Sequence, residues 1–176
     1  MSCSAAALLG LVLSTGTGNW TDVPGIALTA DVEGQTAACR TCPDAAKLGG
    51  IARWRAAAPD IGDDALRLDA GAFLFGASDP EVVAAAYVAA GIDAINLSTS
   101  DFRLGLDFTR DLMASADVPA LSANLLDGDG APLFAPFLVL ERGGRAVAIV
   151  GVTERPVALD ALPFLKRQLA GITVED

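Results

Sequence analysis

Leu66-Arg67-Leu68-Asp69-Ala70-Gly71-Ala72 is a short apolar run that ends on a carboxylate and then on small residues. The same shape recurs along the chain. Upstream, Gly25-Ile26-Ala27-Leu28-Thr29-Ala30-Asp31 reads as a buried strand ending on Asp31. Downstream, Asp93-Ala94-Ile95-Asn96-Leu97 leads into Ser98-Thr99-Ser100-Asp101, and Ala120-Leu121-Ser122-Ala123-Asn124 follows Pro119. Helical stretches separate these runs: residues 51–58, residues 82–90 stopped by Gly91, and residues 104–115. Ser78-Asp79-Pro80-Glu81 reads as a capping box with Ser78 at the cap and a proline in the first turn. Strand–helix alternation of this kind predicts an α/β fold, a mostly parallel sheet with helices on its faces.

Beyond residue 130 the pattern changes. Residues 134–141 and 145–152 are strand-like runs joined across Arg142-Gly143-Gly144, a hairpin signal. A last helical stretch covers residues 160–169. No repeat or linker divides the chain after residue 24, and 176 residues suffice for one domain with a sizeable core.

Composition narrows the function. Hydrophobic residues make up 52% of the chain and aromatics 6%, so the core is built mainly from Ala, Val, Leu and Ile, and a disordered chain is excluded. A net charge of −10, with no basic run to offset it, argues against nucleic acid as a partner. The chain has no histidine, which removes the imidazole base, the imidazole metal ligand and the Ser-His-Asp triad together. Acid–base or metal chemistry would fall to Glu, Asp, Cys or Lys.

In an open α/β sheet, ligands bind beyond the carboxyl ends of the strands. Here those ends read Asp31-Val32-Glu33-Gly34, Asp69-Ala70-Gly71-Ala72, Ser98-Thr99-Ser100-Asp101 and Ser122-Ala123-Asn124. Acids and serines at strand ends also start turns and cap helices without any ligand. The loops at residues 60–64 and at Asp127-Gly128-Asp129-Gly130 read as solvated turns, because the second lacks the ligand spacing of a calcium loop.

Seven pieces in order carry a resemblance. They are Asp31-Val32-Glu33, Gly49-Gly50-Ile51-Ala52-Arg53, Leu68-Asp69-Ala70-Gly71-Ala72, Gly91-Ile92-Asp93-Ala94, Ser98-Thr99-Ser100-Asp101-Phe102, Pro119-Ala120-Leu121-Ser122-Ala123-Asn124 and Gly151-Val152-Thr153. The series resembles the N-terminal half of the calcineurin-like metallophosphoesterases, in their 5′-nucleotidase-type branch. The resemblance implies a layered α/β sheet of that type, truncated, and a pair of metal ions that clamp a phosphate and activate water. It places the bridging carboxylate at Ala72, which has no donor atom. It places a histidine at Glu33, and an asparagine ligand and a leaving-group histidine at Thr99 and Ser100.

Asp31, Glu33, Asp101 and Asn124 remain as a vestigial metal set, and one carboxylate of the expected type does not hold two ions. The reading is therefore a degenerate, non-catalytic domain kept as a binding or structural module, with no cofactor. The rival is a residual phosphoester hydrolase in which Asp31, Glu33, Asp69 and Asp101 hold one Mn²⁺ or Mg²⁺. A protein partner or a second copy is expected over the hairpin, whose Phe137, Val139, Val147 and Ile149 would lose cover without a further half-domain.

Cys39-Arg40-Thr41-Cys42-Pro43 is the remaining motif. Haem attachment would need histidine where Pro43 stands, and zinc would need two more ligands nearby. A structural disulfide between Cys39 and Cys42 is favoured over a redox thiol pair, and Cys3 leaves the count odd. Residues 1–24 contain the apolar stretch 5–13 with no preceding Lys or Arg, and read either as an ordinary apolar segment or as a worn signal peptide. That stretch is too short to span a bilayer. The resemblance makes residues 25–176 a partial metallophosphoesterase-like domain, and a periplasmic or other extracytoplasmic location is favoured over a cytoplasmic one.

Overall fold

Four short apolar runs pair side by side. In the computed structural model, which describes residues 25–37, 50–57, 62–154, 167 and 170–175, they form β1 (Ile26–Thr29), β2 (Leu66–Asp69), β3 (Ala94–Asn96) and β4 (Ala120–Leu121). All neighbours are parallel and the order is β1-β2-β3-β4, with Leu28 opposite Leu68 and Asp69 opposite Ile95. Parallel pairing requires crossovers. They contain α1 (Ile51–Ala57), α2 (Pro80–Ala90) and α3 (Leu106–Ala116).

The two faces of the sheet are set by alternation along each strand. Ile95 and Leu97 join Tyr87 and Val83 of α2, Leu112 and Met113 of α3, and Ile51 of α1 in the larger core cluster. Leu66, Leu68, Ala94 and Leu121 project the other way, onto Val147 and Ile149. The latter belong to a hairpin of β6 (Phe137–Arg142) and β7 (Arg145–Val150). Its two-residue turn, Gly143-Gly144, has φ of 56° and 74°, the conformation that a tight hairpin demands and that glycine adopts without steric cost. The result is helices, sheet and hairpin in three layers. A two-stranded antiparallel sheet of β5 (Leu125–Leu126) and β8 (Thr173–Val174) completes the described elements.

Two expectations need correcting. Asp79, not Ser78, caps α2: its carboxylate accepts the Val82 N–H at 3.3 Å, and Pro80 begins the helix. Proline fixes where the helix starts, so the residue just before it takes the cap. Val147 and Ile149 are each only 2% exposed, whereas Phe137 and Val139 are 56% and 51% exposed. The hairpin covers the sheet with one face and bares the other. The N-terminal segment, Cys39 and Cys42, and most of the last predicted helix lie outside the described residues.

Candidate site at the carboxyl ends of the strands

The parallel strands point the same way, so their carboxyl ends gather on one rim. The loops after β1 and β2 are joined by backbone bonds from Asp31 N to Gly71 O (3.0 Å) and from Glu33 N to Ala72 O (2.9 Å). Asp31, Glu33 and Ala72 are held at φ 53°, 52° and 59°. For residues other than glycine this left-handed region costs about 1–2 kcal/mol each, and Asp and Asn tolerate it better than Ala. Asp31 and Glu33 are exposed, with side chains free to meet a ligand in solution.

Asp69 and Asp101 behave differently. Asp69 ends β2 at 0% exposure. Its oxygens accept from Thr29 Oγ1 (2.6 Å), Gly71 N (2.8 Å) and the Tyr87 hydroxyl (2.9 Å). Asp101, at 1% exposure, lies on the 3₁₀ turn Thr99–Phe102. Its Oδ2 accepts from Ala72 N, Ser98 N and Ser98 Oγ, each at 3.0 Å, and its Oδ1 from Leu74 N at 2.9 Å. Both carboxylates thus grip the loop at residues 71–74 from below.

Burial pushes the Asp101 carboxyl from 3.8 up to about 7, against the pull of hydrogen bonds from Leu74 and Ser98. Burial likewise lifts Asp69 to about 6, opposed by the bonds from Thr29, Gly71 and Tyr87. Burial first, then the Asp69 charge, raises the Tyr87 phenol far above its ordinary value, so Tyr87 stays protonated and donates.

The remaining rim residues are also engaged. Ser100 Oγ lies 2.6 Å from Ser98 Oγ. Thr99 donates through N and Oγ1 to Glu154 Oε1, at 3.3 and 3.1 Å. Asn124 Oδ1 accepts from Thr153 N (2.8 Å), while its Nδ2 donates to Thr153 O (2.9 Å) and Glu175 O (2.7 Å). The amide of Asn124 therefore ties chain segments together and has no group left for an ion.

The donor set does not suit a dinuclear metal centre. Ala72 has no side-chain oxygen, Asp69 and Asp101 direct theirs at backbone and hydroxyl donors, and Asn124 is spent, which leaves the exposed Asp31 and Glu33 as the free carboxylates of the set. Among the described residues no group of three Asp, Glu, Cys or His can share an ion. No reaction step through a metal is derived for this rim.

Sequence reasoning placed Asp31, Glu33, Ala72, Thr99, Ser100, Asp101 and Asn124 on one rim, and the fold brings all seven to the carboxyl ends. It missed Glu154, which directly follows the Gly151-Val152-Thr153 strand end and was open to the same logic. It also missed Tyr87, which sits at core spacing on α2 and carries no local sign of its bond to Asp69. Asn96, 1% exposed, was read only as part of a strand. Its Nδ2 bridges Ala70 O (3.2 Å) and Val152 O (3.0 Å), locking the β2 exit to the β7 exit.

No protein-family model and no curated protein matches the chain. Solved structures do match its fold. A calcineurin-like phosphoesterase, YfkN from Bacillus subtilis, superposes with TM-score 0.67 at 19% identity, over 86% of this chain and 53% of that one. A 5′-nucleotidase precursor from Thermus thermophilus gives 0.63 at 24% identity, over 86% of this chain and 31% of that one. The NAD nucleotidase of Haemophilus influenzae gives 0.61 at 16%, over 86% and 29%. The chain thus has the fold of the calcineurin-like phosphoesterases and 5′-nucleotidases, and spans about half or less of those chains.

Proposed function

We propose that this is a non-catalytic domain of metallophosphoesterase fold that serves as a binding or structural module. The observation that carries the reading is the loop at residues 71–74. Ala72 stands where the resemblance expects a bridging carboxylate, and the two acids beneath it, Asp69 and Asp101, are consumed in holding that loop. A buried carboxylate that already accepts three or four hydrogen bonds loses them on turning towards an ion. A partner protein or second copy, an extracytoplasmic location and a Cys39–Cys42 disulfide belong to the same proposal. Among the described residues no helix is long and apolar enough to cross a membrane.

Calorimetric titration with Mn²⁺ and with Mg²⁺ tests the reading. It predicts no saturable binding at micromolar ion concentrations. Stoichiometric uptake that disappears in Asp31→Asn or Asp101→Asn would overturn it in favour of an all-carboxylate hydrolase. Mass spectrometry of unreduced protein tests the disulfide separately, and two free thiols after aerobic purification would count against it.

A further inference from the structure

The chain has two Asp-Gly pairs, and they stand side by side in one turn, Asp127-Gly128-Asp129-Gly130. In such a pair the aspartate carboxyl carbon and the next main-chain amide meet with little obstruction, because glycine has no Cβ. The fold treats the two pairs differently. Asp127 Oδ1 accepts from Asp129 N and from Ala131 N, each at 2.9 Å, and Asp127 N donates to Ala131 O at 2.9 Å. The Asp127 carboxylate is thereby held across the turn. Gly128 also lies near the Gly171 carbonyl, 3.8 Å from where a Cβ would stand.

The second pair is open. Asp129 and Gly130 are exposed, and the Asp129 carboxylate accepts no hydrogen bond among the described residues. A Cβ on Gly130, φ 81°, would meet nothing within 4 Å, so a ring closing there has room. Gly130 N makes one bond, to Asp127 O at 3.1 Å, longer than the three that Asp127 makes to Asp129 and Ala131.

We propose that Asp129-Gly130 is a site of spontaneous isoaspartate formation, with water as the co-reactant, and that the fold spares Asp127-Gly128 beside it. Gly130 N attacks Asp129 Cγ and closes a cyclic imide, while the amide hydrogen and the carboxyl OH leave together as water. Water then adds to the main-chain carbonyl carbon of Asp129 and breaks its bond to Gly130 N. The main chain now runs through Cβ and Cγ, and the former main-chain carbonyl becomes a free carboxylate. No atom is gained or lost overall, and nothing is oxidised or reduced. The added main-chain atom falls inside the turn that returns Leu133 N to Leu125 O (2.9 Å) and bridges Leu126 to Pro132, and it loosens that closure. This modification goes beyond the binding-module reading and does not depend on it.

Ageing the full chain at neutral pH and physiological temperature tests the proposal, with peptide mapping by electron-transfer fragmentation to tell isoaspartate from aspartate at equal mass. Isoaspartate should accumulate at position 129 roughly tenfold or more faster than at 127, where the carboxylate must first lose two hydrogen bonds. In urea, which removes those bonds, the two positions should convert at similar rates. Amide exchange at Ala131 and Leu133 should quicken roughly tenfold in the converted chain and stay unchanged in β3. The aged Asp129→Glu variant, whose longer side chain disfavours the ring, should keep native exchange at both amides. Absence of isoaspartate at 129, or equal conversion at 127 and 129 in the folded chain, overturns the proposal. A preference for 129 that persists in urea assigns the choice to sequence and overturns it as well. So does native exchange at Leu133 after conversion, or equal quickening in Asp129→Glu.

Discussion

At Ala72 the backbone holds a left-handed conformation, φ 59°, that suits aspartate, asparagine or glycine better than alanine. The loop keeps this shape because its neighbours over-determine it: Asp101 accepts from Ala72 and Leu74, Asp69 from Gly71, and Glu33 bonds the Ala72 carbonyl. Ala72→Gly is therefore expected to raise stability by about 0.5–1 kcal/mol, read as a higher urea midpoint; a lower midpoint would show that no strain resides there. Gly71→Ala should do the reverse. A Cβ at Gly71, φ 110°, would meet Asn96 O and the Ser98 backbone at 3.0 Å, and the expected loss is about 1–3 kcal/mol.

The two buried acids add a pH dependence. Their folded-state values, about 6 for Asp69 and about 7 for Asp101, exceed the ordinary 3.8. The folded state therefore binds these protons more tightly than the unfolded chain does. Their contribution is fully present below about pH 4 and is lost as pH rises through 6 and 7. Stability should fall by a few kcal/mol between about pH 5 and pH 8, and the fall should shrink in Asp101→Asn. A stability that rises over this range would contradict the assignment.

Among the elements, legibility followed length and punctuation. β2 was read to the residue because Asp63-Asp64-Ala65 precedes Leu66-Arg67-Leu68-Asp69 and Ala70-Gly71 follows it. The hairpin's turn was clear, since Gly143-Gly144 between β-rich runs admits few alternatives, but the runs read at 134–141 and 145–152 begin and end away from β6 at Phe137–Arg142 and β7 at Arg145–Val150. α2 ended where Gly91 predicted, with φ 70° at that glycine, but its cap was misplaced by one residue because Ser78 and Asp79 are both good caps and only geometry chooses between them. Asp79→Ala should cost about 1 kcal/mol, while Ser78→Ala should cost little; equal losses in thermal melts would refute the assigned cap. β5 and β8 pair through two residues each across 47 positions or more. No local pattern announces so short and distant a contact, and the sequence reading missed it.

Across the whole molecule, the parallel sheet and its rim were legible from the order of the strand ends, because a strand–helix alternation leaves few topologies. Which face of the hairpin would be covered was not. Inward and outward residues of β6 and β7 are similarly apolar, and only the register, with Leu138 opposite Ile149, shows that Val147 and Ile149 lie inside. Phe137 and Val139 on the outer face are more than half exposed, apolar surface bared by the hairpin. What the rim can do chemically rests on where Asp69 and Asp101 point, and that depended on a tyrosine and a serine whose roles no spacing revealed. The most direct test is hydrolysis of a nucleoside monophosphate and of a generic phosphodiester by the purified chain, with and without Mn²⁺. The account predicts no turnover above buffer and no change on adding a chelator. Turnover stimulated by Mn²⁺, abolished by chelation and lost in Asp31→Asn would contradict it.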